Sequence, residues 1–133
     1  MQKTIVLGFP NYDTAIRLSN NPYIGSEDAL QKVVAMYLKY KSAFWFHPPN
    51  GGKRNNIEAA KLKGMGVLPG IPDCMILDAR HGFYGLAIEL KVGHNKATDN
   101  QLLVCHRLSE VGWMVVISSS LDDVISVLDW YYD

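Results

Sequence analysis

Two short apolar segments joined by a glycine-bearing turn constrain this chain more than any other feature. Cys74-Met75-Ile76-Leu77 has the composition of a buried strand, and Arg80-His81-Gly82-Phe83-Tyr84-Gly85 reads as a turn. Leu86-Ala87-Ile88-Glu89-Leu90-Lys91-Val92 then alternates, with Glu89 and Lys91 as its polar members. Successive strand side chains point to opposite faces, so Glu89 and Lys91 project together while Leu90 turns back into the core. Gly70-Ile71-Pro72-Asp73 introduces the first segment. If the two strands pair as neighbours, Asp73 meets the face that carries Glu89 and Lys91. Two carboxylates and one ammonium then converge, which is costly unless a divalent cation and an anionic substrate share the charge. The spacing also suits the surface face of an ordinary edge strand, and an Asp after Pro can simply open a strand or close a turn.

The rest of the chain supplies a frame for that pair. Ser26 is placed to cap a helix over 27–40, in which Leu30, Val33, Val34, Tyr37 and Leu38 form one apolar stripe. Glu27 and Gln31, one turn apart, flank the stripe together. Ala43–His47 reads as a strand ended by Pro48-Pro49-Asn50-Gly51-Gly52, and a small basic helix runs from Asn56 to about Lys63. Strands near 74–79 and 85–92 follow, then a helix over about 98–111 stopped by Gly112, a strand over 113–118 and a last helix over about 121–131. This order predicts an α/β fold, a central mixed sheet with helices packed on its faces. Residues 1–25, rich in Asn, Pro and Tyr, read as an irregular arm with a short strand near Thr4–Leu7.

Length and composition bound the function classes. At 133 residues the chain is one domain able to bury a core without staples. No apolar run approaches the roughly 20 residues that cross a bilayer, and the N-terminal apolar stretch is too short for a signal peptide. Cys74 and Cys105 sit in apolar surroundings, make no zinc-type pair and read as reduced core thiols, so a cytoplasmic setting is expected. The zero net charge conceals an asymmetry: residues 1–66 hold nine Lys/Arg against four Asp/Glu, and residues 67–133 hold nine acids against four bases. Lys39 to Lys63 forms a local basic region able to bind phosphates, or merely a solvated face.

The ordered set of motifs resembles the virus-type replication-repair nuclease (VRR-Nuc) branch of the PD-(D/E)xK nucleases. It comprises Glu27-x-x-x-Gln31, His47-Pro-Pro-Asn50-Gly-Gly with Lys53 and Arg54, Gly66-x-x-Pro69-Gly70-Ile-Pro-Asp73, Glu89-Leu-Lys91 and Gln101. The resemblance spans residues 26–133 and implies the superfamily's αβββαβ core, which the element order above also gives. It implies a DNA endonuclease that uses Mg²⁺ or Mn²⁺, with Asp73 and Glu89 as metal ligands, the Leu90 backbone carbonyl as a further oxygen and Lys91 orienting water or stabilising developing charge. Glu27 matches the family's additional acid, acting on the metal through water, with Asp28 as a competing candidate. Gln101 matches a site-positioning glutamine or is a solvent-facing helix residue, and Asp99 either caps that helix or approaches the site.

His47, Asn50, Lys53, Arg54, Lys61 and Lys63 are the candidate DNA contacts. His81, His94 and His106 lack ligand spacing and read as structural or surface residues. Family members made of the nuclease domain alone resemble Holliday-junction resolvases that act as homodimers, which implies branched DNA as a partner and a phage or prophage origin; residues 1–25, outside the resemblance, and the acidic, aromatic C-terminus Asp129-Trp-Tyr-Tyr-Asp133 are candidate dimer elements. A flap, nicking or sequence-specific nuclease, or a non-catalytic DNA-binding protein on the same fold, is the alternative.

Overall fold

Helix α1 (Glu27–Tyr40) starts at the expected cap, where the Ser26 hydroxyl accepts the Ala29 N–H at 3.1 Å. Its buried residues Leu30, Val34 and Leu38 recur at helical spacing and fix which side faces the sheet. The computed structural model describes residues 2–49 and 55–133. In chain order they form β1 (Ile5–Leu7), a 3₁₀ turn (Tyr12–Thr14), α1, β2 (Trp45–Phe46), α2 (Asn56–Gly64), β3 (Cys74–Ile76), β4 (Leu86–Leu90), α3 (Asp99–Glu110), β5 (Met114–Ser118) and α4 (Leu121–Tyr132).

The five strands lie in the order β1-β5-β4-β3-β2. Only β4 and β5 run parallel, joined by the α3 crossover, and the other pairs are antiparallel. The fold is therefore the expected mixed sheet flanked by helices. Because α1 and α4 cover one face and α3 the other, β4 is central and buried on both sides. Leu86, Ile88 and Leu90 pack with α1 and α4, while Ala87 packs with Cys105 of α3 and with Val115 and Ile117 of β5. A fully buried Leu or Ile is worth about 1.5–3 kcal/mol, so this strand is held by its apolar members. Any polar group on it is buried at their expense.

Two strands are shorter than the sequence suggests. Residues 43–47 yield strand only at Trp45–Phe46, and the 74–79 segment ends at Ile76. Asp78 explains the second difference: its carboxylate accepts the Phe44 N–H at 2.9 Å and the Tyr132 hydroxyl at 2.7 Å, and its carbonyl accepts the Tyr131 hydroxyl at 2.6 Å. Those bonds turn the chain out of the ladder toward α4.

The N-terminal segment is tied down by one acid. Asp123 of α4 is fully buried and accepts the Thr4 hydroxyl at 2.6 Å, the Ser19 N–H at 2.7 Å and the Asn20 N–H at 3.0 Å. Asp123→Ala strands those donors, of which Thr4 is buried and Asn20 half-buried, and is expected to cost about 2 kcal/mol of folding stability, read as a lower urea midpoint with an unchanged m-value. An unchanged midpoint would show that the cluster contributes nothing to folding.

Candidate functional site

Strands β3 and β4 pair with Cys74 opposite Ile88. Continuing that register by one residue sets Asp73 opposite Glu89, with both side chains on the face covered by α3. The Asp73 carboxylate is fixed by the Leu90 N–H, which donates to Oδ2 at 2.8 Å. Its main chain is fixed as well: His47 Nδ1 lies 2.6 Å from the Asp73 carbonyl. A carbonyl can only accept, so Nδ1 carries the proton.

Glu89 is 1% exposed and Lys91 9%. Both belong to the central strand segment, which excludes the edge-strand reading. Neither carboxylate oxygen of Glu89 has a hydrogen-bond partner; its ion-pair contact is Lys91 Nζ, 3.4 Å from Oε2. Burial and, next, the adjoining Asp73 carboxyl push the Glu89 carboxyl up to about 8, against the opposing pull of Lys91. An unpartnered buried carboxylate is expensive, and such groups mark a place where something is missing or something happens.

Glu27 opens α1 and is half-buried, and its carboxyl is raised by burial and by Asp73. With Asp73, Gln101, Thr98, Asn100, Gly70 and Ile71 it lines a hollow of about 260 Å³. Asp28 is exposed and lies outside that lining. Gln31, a turn further on, donates to Cys74 Sγ at 3.5 Å behind the site.

Gln101 is held by a capping box: its Oε1 accepts the Thr98 N–H at 2.9 Å, and the Thr98 hydroxyl accepts the Gln101 N–H at 3.2 Å. Thr98, not Asp99, is therefore the cap. The Thr98-x-x-Gln101 spacing is a sequence signal for this, and it was open to be read. Gly70 has φ +84°, and a Cβ there would stand 2.9–3.2 Å from Asn100. The loop carrying Asp73 thus packs directly on the first turn of α3.

The expected DNA contacts are less gathered. His47 is exposed beside Asp73 but engaged with its carbonyl. Lys61 and Lys63 are exposed on α2, and Lys63 borders a hollow shared with Pro69 and Gly70, next to the one containing Asp73. Asn50, Lys53 and Arg54 lie outside the described residues. Burial pushes the thiols of Cys74 and Cys105 up to about 12, which makes both inert.

Asp73 and Glu89 set two neighbouring carboxyl groups on one face, oxygen donors of the kind Mg²⁺ or Mn²⁺ prefers. Among the described residues no three His, Cys, Asp or Glu side chains close on one point. The set therefore suits an ion that is held by one or two carboxylates and keeps waters and substrate oxygens in its remaining positions. The unpartnered Glu89 oxygens fit that use.

No family model matches this chain, and no curated protein matches it. Among solved structures, a protein described as a VRR_NUC domain protein matches it at 35% sequence identity, over 82% of this chain and 90% of that one, with a TM-score of 0.68.

Proposed function

The chain belongs to the VRR_NUC domain family, and from that premise we propose that it is a metal-dependent endonuclease hydrolysing DNA phosphodiester bonds. The observation that supports this reading most is Glu89, a buried carboxyl with no hydrogen bond, set between Asp73 and Lys91 on the central strand.

In this reading Asp73, Glu89 and the Leu90 carbonyl would hold a divalent cation, with Glu27 acting on it through water. The chemistry supplied by such an ion is neutralisation of charge on the phosphate and a hydroxide-like nucleophile at neutral pH. Asp73 contributes a carboxylate pre-oriented by the Leu90 N–H, so no reorganisation is needed when the charges meet. Lys91 holds an ammonium against Glu89 and stabilises negative charge as it develops on the phosphate oxygens. Gln101, locked by its capping box, sets the wall of the hollow across from Glu27. Water gives up a proton as its oxygen bonds phosphorus, the P–O bond to the leaving nucleotide breaks, and the leaving oxygen takes up a proton.

Residues 26–133 form the nuclease unit in this proposal, acting on DNA in the cytoplasm. The preferred substrate is a branched duplex cut by a homodimer, because two symmetric sites match the two scissile strands of a four-way junction. The test is cleavage of a labelled four-way junction, a flap and a linear duplex, each with Mg²⁺, Mn²⁺ or EDTA. Paired nicks in the junction that EDTA abolishes support the full reading. Metal-dependent cutting of flap or linear DNA instead keeps the nuclease and discards the junction preference. DNA binding by folded protein without cutting of any substrate overturns the catalytic reading.

A further inference from the structure

A hollow of about 630 Å³, larger than the one of about 260 Å³ at Asp73, is lined in part by Lys91. The two hollows have opposite character. The one at Asp73 contains two acids, Glu27 and Asp73, and no lysine. The larger one is lined by Lys3, Lys91, His94 and Lys96 and by no Asp or Glu. Among the described residues Lys3, His94 and Lys96 enter no ion pair; the pairs are Lys41–Asp129 and Lys91–Glu89. Its lining also includes the apolar Ile5, Ala97, Leu102 and Ile117, so the positive groups meet no acid there to offset their field.

The hollow is built rather than accidental. Strand β1 pairs with β5, placing Lys3 just before the sheet edge. Gln2 Nε2 donates to the Asn95 carbonyl at 2.9 Å and to the Gly93 carbonyl at 3.3 Å, so the N-terminal segment clasps the loop that bears His94 and Lys96. Lys91 ties the cationic hollow to the candidate site, since it lines that hollow and its Nζ reaches Glu89.

We propose that this cationic hollow binds a second backbone phosphate of the DNA strand whose bond is cut at Asp73 and Glu89, held by Lys3, Lys96 and His94. The inference rests on the nuclease reading and adds what the substrate must present there. Phosphate contacts of this kind carry no sequence information but fix the register of the strand. They would seat one phosphate in the cationic hollow and deliver its neighbour to the carboxylates. The N-terminal segment thereby acquires a role in substrate positioning.

The experiment is DNA binding by the full chain, measured by anisotropy of a labelled junction in EDTA across a salt series. The variants are Lys3→Ala/Lys96→Ala, the charge-keeping Lys3→Arg/Lys96→Arg, and Lys32→Glu, which makes the same change in net charge at an exposed position on α1. All these lysines are exposed, so each variant should fold as the parent does. Loss of the two contacts is expected to reduce the slope of log K against log salt by about 1.8. Affinity should fall roughly tenfold or more. The arginine pair should restore both, and the α1 control should leave both near wild type. Single-turnover cleavage at saturating DNA with Mg²⁺ should lose its fixed position, with nicks spreading over neighbouring bonds, because the contacts that set the register of the strand are gone. A Lys3/Lys96 variant that binds like the α1 control, from a wild type that binds and cuts DNA, overturns this inference alone. A wild type that neither binds nor cuts DNA overturns the nuclease reading, and this inference with it.

Discussion

Lys91→Ala is expected to reduce metal-dependent DNA cleavage by about 10²–10³-fold, the usual loss when one preorganised charge-stabilising donor is removed. DNA binding should stay within a few-fold of wild type. The variant should fold, because Glu89 has a neutral alternative. Its carboxyl is already pushed up to about 8 by burial and Asp73, and without the opposing ammonium it simply stays protonated at neutral pH. Asp73→Asn is the companion. An amide oxygen can still accept the Leu90 N–H that Asp73 Oδ2 now accepts, so the backbone geometry survives while the charge is lost. Each variant should be nearly as inactive as the two combined, since residues that act as a unit are strongly non-additive. Cleavage within threefold of wild type in either single variant would remove that residue from the proposed mechanism. Circular dichroism on the same samples separates lost chemistry from lost folding.

How much of this was legible beforehand varies with the range of the interaction that decides it. Helix α1 was read with its cap, because Ser26 and the Leu30–Val34–Leu38 stripe are local signals. The pairing of Asp73 with Glu89 followed from two apolar runs and a glycine turn. The depth of Glu89 and Lys91 did not follow from their alternation, which fits a half-exposed strand equally well. It follows instead from β4 being joined to β5 by a helix. A β-helix-β crossover makes the pair parallel and leaves a helix covering that face, so the signal was present one element downstream.

The clamp on Asp73 was not legible. It is a backbone N–H of Leu90 meeting a side chain from a different strand, and no residue type encodes that. The pairing of β1 with β5, and with it the meeting of Lys3 and Lys96 in one hollow, was equally silent. More than 100 residues separate β1 from β5, and Lys3 and Lys96 have no common motif. His94 read as a surface residue for the same reason.

The stability of the metal-free protein should fall as the pH rises from about 5 to about 8, and then level off. The native Glu89 carboxyl titrates near 8, while in the unfolded chain it titrates near the ordinary glutamate value of about 4.3. Between those two values the native state binds the extra proton, so raising the pH favours unfolding. The span sets the loss on the order of 4 kcal/mol, equivalent to roughly 10 °C or more in the thermal midpoint of a chain this size. Glu89→Gln keeps the shape without the charge, so it should abolish most of that slope and match or exceed the parent's stability at pH 8.5. The difference between the two curves isolates Glu89 from the other titrating groups.

Adding Mg²⁺ should then act with the opposite pH dependence. Binding needs the ionised carboxyl, so the ion should raise the parent's midpoint at pH 8.5 and do little at pH 5.5, where the proton competes for Glu89. Glu89→Gln should respond weakly at both. A parent whose stability is flat between pH 5 and 9 would mean that Glu89 is not held protonated by its surroundings. A glutamine variant that gains as much from Mg²⁺ as the parent would mean that the ion sits elsewhere. The two results are independent, because the first concerns what burial does to the carboxyl and the second what the carboxyl is buried for.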